Sequence, residues 1–210
     1  MKTIVFDIDG TLLDSNDIDS TLYLAAVRAV LGEVEFRPDW SDYEHVTDQG
    51  LLIDVLLDNG LVPDDALIQQ VKETFLQSVA AHLQAQGPFK EIPGARTFID
   101  SLHQDGETSI AYATGGWGES ARLKLQTAGF PVEDIPLASS DFHLKRIDIM
   151  RHSVSQLPNP EAPVTYFGDA VWDQRACDEL GWRFVAVGPS LAGIETFDLA
   201  VLHNDQISEN

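Results

Sequence analysis

The chain has 210 residues, enough for one or two domains at roughly 150 residues each, and 44% hydrophobic residues supply material for a core. Thirteen Lys and Arg against 34 Asp and Glu leave a formal net charge of −21, which disfavours nucleic acid and anionic membrane surfaces as partners. A single cysteine, Cys177, excludes an internal disulfide framework and a thiolate zinc cluster, and no apolar run reaches the ~18–20 residues of a membrane span.

In chain order, residues 3–6 form a short apolar run stopped by Asp7-Ile8-Asp9-Gly10. It reads as a strand buried on both faces, and it meets Asp7 too soon to be a secretory signal, so a cytoplasmic protein is expected. From residue 15 to 90 the pattern is helical. Residues 18–31 place Leu22, Ala25, Ala26, Ala29 and Val30 at helical spacing before Gly32; Thr47 caps a second helix up to Gly60; Asp64 caps a third, stopped by Gly87. Strand-like runs then recur at 109–113, 135–138, 164–167 and 184–187. Helical stretches at 94–104, 119–128, 145–157 and 171–180 lie around them. The expected fold is α/β: a doubly wound parallel sheet, a Rossmann-like core of residues 1–14 and 91–210, with an inserted α-helical cap domain of residues 15–90. The polar end, 203–210, is expected to fray.

In such sheets the ligand crevice lies beyond the carboxyl ends of the strands. Those ends carry Asp7 and Asp9, then Thr114-Gly115-Gly116, then Gly168-Asp169 with Asp173 one helical turn on, while Lys145 opens the helix after the third run. Four converging carboxylates need a cation, and oxygen ligands without Cys or paired His favour Mg²⁺. An ammonium and a hydroxyl beside them fit an anionic substrate group. Metal-assisted phosphoryl transfer with a carboxylate nucleophile follows.

Phe6-Asp7-Ile8-Asp9-Gly10-Thr11-Leu12, Thr114, Lys145 and Gly168-Asp169 with Asp173 resemble the four motifs of the haloacid dehalogenase-like hydrolase superfamily. The helical insertion after the first motif is similar to its α-helical cap of the first type, as in phosphoglycolate phosphatase and β-phosphoglucomutase-like members. The resemblance implies that Asp7 is the nucleophile, forming an aspartyl-phosphate, and that Asp9 is the general acid and base. It also implies that Asp7, the carbonyl of Asp9 and Asp169 hold Mg²⁺, with Asp173 acting on it through its water shell or directly, and that Thr114, Gly115 and Lys145 bind the phosphoryl group. Relatives that cleave carbon–halogen bonds lack the second acid, so Asp9 favours phosphate esters. The implied enzyme is a Mg²⁺-dependent phosphatase of a small soluble phosphomonoester. A sugar-phosphate phosphomutase is the alternative within enzymes, and a non-catalytic ligand-binding module the one outside them.

Two positions depart from the family pattern. Arg146 follows the lysine where proline is usual, and Gly115 stands where many members carry Asn. Arg146 and Lys124 read as solvated surface and Cys177 as a small buried residue. In the cap, Trp40, Tyr43, His45, Thr47 and Asp48 form a polar–aromatic cluster that fits either substrate recognition or packing. Arg37 is the cap cation best placed to meet a second anionic group on the substrate.

Overall fold

The structure is a computed structural model, and it describes residues 2–197; the expected frayed tail at 203–210 lies outside the described residues. The element order is β1 (Lys2–Phe6), β2 (Leu13–Asp14), α1 (Asn16–Leu31), α2 (Asp48–Asp58), α3 (Asp65–Gln86), β3 (Lys90–Glu91), α4 (Ala95–Asp105), β4 (Thr108–Ala113), α5 (Gly118–Thr127), β5 (Leu137–Ala138), α6 (Arg146–Ser155), β6 (Val164–Gly168), α7 (Val171–Leu180) and β7 (Arg183–Ala186). Five strands make one parallel sheet in the order β5-β4-β1-β6-β7. The chain leaves central β1 for β4 and β5 on one side and returns to β6 and β7 on the other. That reversal opens a crevice at the carboxyl end of β1.

Period-two alternation builds two core layers on this sheet. Ile4 and Phe6 of β1 face one side with Ile110, Tyr112 and Phe167, joined by Phe98 of α4 and Phe197. Val5 faces the other with Ala111, Ala113 and Tyr166, under Ile149 and Met150 of α6 and Cys177 of α7. Phe6 stacks on Phe167 with ring centroids 5.0 Å apart, at the spacing favoured by offset aromatic pairs. Helices therefore cover both faces, as a parallel sheet requires.

Helices α1, α2 and α3 form the expected helical layer. Thr47 and Asp64 cap α2 and α3 through side chains that accept from the N–H groups of Gly50 and of Ala66 and Leu67. α1 packs on α3, and α3 packs on α5 of the core. Two short strands absent from the sequence reading, β2 and β3, pair antiparallel where the chain enters and leaves this layer. Two residues each are too few to leave a periodic signal. The apolar interior runs on from the sheet into the helical layer, so Tyr23, Val55, Phe75 and Val79 belong to the same buried cluster as Phe6 and Phe98.

Candidate active site

Register decides what meets at the crevice. Phe6, the last residue of β1, pairs with Tyr112 on one flank and Phe167 on the other, so β4 and β6 each run one residue further, to Ala113 and Gly168. The next residues, Asp7 on one strand, Thr114 and Asp169 on the others, therefore share one edge. They line a cavity of about 430 Å³, with Asp9 and Gly115 on its wall.

Below Asp7 the carboxylates close up. One ligand oxygen each from Asp7, Asp169 and Asp173 lie within 4.8 Å of one another. Asp173, in the first turn of α7, is wholly buried, and its Oδ2 has no hydrogen-bond partner. Space for it comes from Gly168, where a Cβ would stand 2.7 Å from that same oxygen. Gly10 plays the matching part for Asp169: its φ is +78°, and a Cβ there would lie 2.1 Å from Asp169 Oδ2. Burial, then repulsion from Asp173, pushes Asp169 up to about 6; burial and Asp173 likewise raise Asp7 well above the carboxylate range. Asp173 is raised too, by burial, against the pull of Arg146. Three crowded acids with raised pKa values and an orphaned buried oxygen fit a hard divalent cation, which favours the charged form of each.

The cation that reaches these acids is Arg146, which overturns its reading as solvated surface. Its Nη1 lies 3.4 Å from Asp7 Oδ1 and 3.3 Å from Asp173 Oδ1. Its Nη2 donates to the carbonyl of Val46, a link to the helical layer. Lys145, expected in this role, is exposed and lines a separate, smaller cavity with Tyr43 and His45. The reason is local. Lys145 is the N-cap of α6 with extended backbone (φ −83°, ψ 131°), whereas Arg146 is the first helical residue, so the two side chains leave in different directions.

Lys124 is also corrected from surface to interior. Its side chain is 1% exposed, and its Nζ donates to both oxygens of Asp9, at 2.6 and 2.7 Å, and to Asp19 Oδ1 at 2.7 Å. Ser15 Oγ donates to Asp9 Oδ1 at 2.6 Å. Asn16 Nδ2 donates to Asp169 Oδ2 at 2.8 Å, so the first residue of α1 touches the acid cluster. Neither Ser15, Asn16 nor Asp19 stood out in the sequence.

Of the expected cap residues, Trp40 lines the main cavity, together with Thr47 and Asp48. Arg37 does not. Its guanidinium is held by Asp58, with Nε 2.7 Å from Oδ2, and it approaches Asp54 at 3.5 Å. The Tyr43 hydroxyl accepts from the Arg37 backbone N–H. These contacts explain the polar–aromatic cluster in part as packing of the layer itself.

The family model described as haloacid dehalogenase-like hydrolase matches residues 1–181. The chain belongs to that family. Among solved structures, a hydrolase from Pseudomonas syringae is 21% identical with a TM-score of 0.69, covering 97% of this chain and 90% of that one. A β-phosphoglucomutase from Clostridium difficile is 10% identical with a TM-score of 0.73 over 97% and 96% of the two chains. CbbY from Rhodobacter sphaeroides, in complex with phosphate, is 20% identical with a TM-score of 0.65 over 100% and 92%. At these identities the likeness is one of fold. No curated protein sequence matches the chain significantly. The two departures of this haloacid dehalogenase-like hydrolase from its family pattern are spatially one, because a Cβ on Gly115 would lie 2.6 Å from Arg146 Nη2.

Proposed function

We propose that the protein is a Mg²⁺-dependent phosphatase of a small phosphomonoester, working through an aspartyl-phosphate on Asp7. The observation that carries this reading is the convergence of Asp7, Asp169 and Asp173 within 4.8 Å of one another, beside Arg146. Asp7, Asp169 and Asp173, with the carbonyl of Asp9, are the residues that would hold the ion. When bound, it supplies positive charge that offsets repulsion between a carboxylate nucleophile and a phosphate dianion.

Asp7 attacks phosphorus, forming a P–O bond to its carboxylate while the bond to the ester oxygen breaks. Asp9 gives that leaving oxygen a proton. Asp9 then takes a proton from water, which attacks phosphorus and releases inorganic phosphate and the free Asp7 carboxylate. Arg146, Thr114 and the backbone around Gly115 bind the phosphoryl oxygens, where transition-state charge is greatest. Support for pairing Asp9 with Thr114 comes from Gly116, whose absent Cβ would sit 3.3 Å from Thr114 Oγ1 and 3.9 Å from Asp9 Oδ2. The helical layer stands over the cavity and suits small substrates rather than macromolecules. With Arg37 engaged by Asp58, and Asp17, Asp19 and Asp48 on the wall, a leaving group without a second anionic charge is favoured.

The test is phosphate release from a panel of phosphorylated metabolites and p-nitrophenyl phosphate, with Mg²⁺, with EDTA and with Asp7→Asn. Turnover abolished by EDTA and by Asp7→Asn supports the reading; equal rates in all three end it. A phosphomutase shares this fold, and isomerisation of a sugar phosphate with little net phosphate release would favour it instead.

A further inference from the structure

We propose that Lys124 is a positioning residue that aims the Asp9 carboxylate at the leaving oxygen and ties that aim to the helical layer through Asp19. The inference rests on the phosphatase reading above and assigns a role to a group that reading does not use.

A buried lysine is costly unless each of its donors is satisfied, and an ammonium has three. All three N–H groups of Lys124 are spent within 2.7 Å, two on Asp9 and one on Asp19. Lys124 stands on α5, a core helix; Asp9 is on the loop after β1; Asp19 is in the first turn of α1, in the helical layer. One side chain therefore joins the core, the acid and the layer above it. With Ser15 Oγ on Asp9 Oδ1, both carboxylate oxygens are engaged by side chains from three elements or their flanking loops. Asp19 takes a share of the ammonium, so Lys124 orients Asp9 without its whole charge falling on that one carboxylate. Burial pushes Asp19 up to about 6, with Lys124 opposing the rise. Asp48, a half-buried acid of this corner, is held separately by the backbone N–H of Trp117, at 2.9 Å.

A group that only positions the proton donor matters in proportion to how much the leaving oxygen needs a proton. An alkyl ester needs one; p-nitrophenolate does not. The experiment compares kcat/KM, which reports the step that expels the leaving group, for the fastest alkyl phosphomonoester of the panel and for p-nitrophenyl phosphate, in the wild type, Lys124→Met and Asp19→Asn. The ratio of the two rates is independent of how much of a variant is folded. Lys124→Met is expected to lower the alkyl-to-aryl ratio at least tenfold, on the order of what misplacing a general acid costs, with KM for either ester moving less than about threefold. Asp19→Asn, which keeps the shape of the site and loosens one of the three bonds, is expected to lower it in the same direction by less, and serves alone if Lys124→Met does not fold. An unchanged ratio, with both esters slowed equally or neither slowed, overturns the inference and leaves the phosphatase reading standing. A wild type that cleaves neither ester overturns the phosphatase reading and this inference with it.

Discussion

Gly115 is bare where Arg146 passes: a Cβ built on the glycine would come within 2.6 Å of Arg146 Nη2 and 3.1 Å of the Val46 carbonyl. Arg146 in turn bridges Asp7 and Asp173 across the crevice. The two positions that depart from the family pattern, the glycine after Thr114 and the arginine after Lys145, thus face each other in the fold. Arginine is suited to it, since its planar fork presents several donors to carboxylate and phosphate together.

Replacing Arg146 by Ala is expected to lower kcat/KM for phosphate esters by about 10²–10³, the usual cost of losing a donor that stabilises transition-state charge. Lys145→Ala, at an exposed residue facing the other cavity, is expected to change it by less than about threefold. Steady-state kinetics on both variants decide the matter, and the opposite ranking would return the role to Lys145.

Gly115→Asn restores the residue common in the family and drives it into the guanidinium. The expected result is a KM raised on the order of tenfold over the wild type, and a smaller further change when the substitution is added to Arg146→Ala, where only the Val46 carbonyl still crowds it. Additive losses in the double variant would mean that the two positions are independent.

Metal-free stability is expected to fall as pH rises. Burial and repulsion from Asp173 push Asp169 up to about 6 in the fold, and Asp7 and Asp173 are raised as well, against roughly 3.9 for an unfolded aspartate. Their stabilisation is therefore complete below about pH 4 and is lost as pH passes upward through the folded values. Thermal melting in EDTA should give a lower Tm at about pH 7.5 than at about pH 5, and Mg²⁺ should raise Tm more at the higher pH. A Tm that climbs across this window, with no response to Mg²⁺, would contradict the crowding of the three acids.

Substrates should sort by the charge of their leaving group. Monoesters of neutral alcohols are expected to have kcat/KM at least about tenfold above phosphoglycolate, whose carboxylate would meet Asp17, Asp19 and Asp48 with Arg37 already bound to Asp58. A competitive metabolite screen measuring released phosphate gives the ranking; phosphoglycolate at its head would relocate the leaving group.

The parts of the fold legible in the sequence are those set by local chemistry. Val171–Leu180 is a helix with Gly181 in the left-handed conformation after it, and Thr47 and Asp64 cap the helices they precede, because caps and stop signals act within a few residues. The apolar runs of β1, β4 and β6 are legible for the same reason. What the sequence hid depends on phase or on distance. A difference of one residue at an extended N-cap decides whether Lys145 or Arg146 enters the crevice. Lys124 lies 115 positions from Asp9, and nothing near it in sequence hints that a lysine three residues before the end of a helix should be dry. Arg37 looked available because its partners Asp54 and Asp58 lie a helix away.

Trp117 precedes a core helix, yet its ring packs against Tyr23 and Phe75 of the helical layer, with centroids 5.8 and 5.7 Å away, and it is 1% exposed. Lifting that layer to admit a substrate would strip an indole of its apolar neighbours and wet it. Among the chain's four tryptophans, Trp117 would report any such opening by a red shift in its emission, followed without attaching a dye.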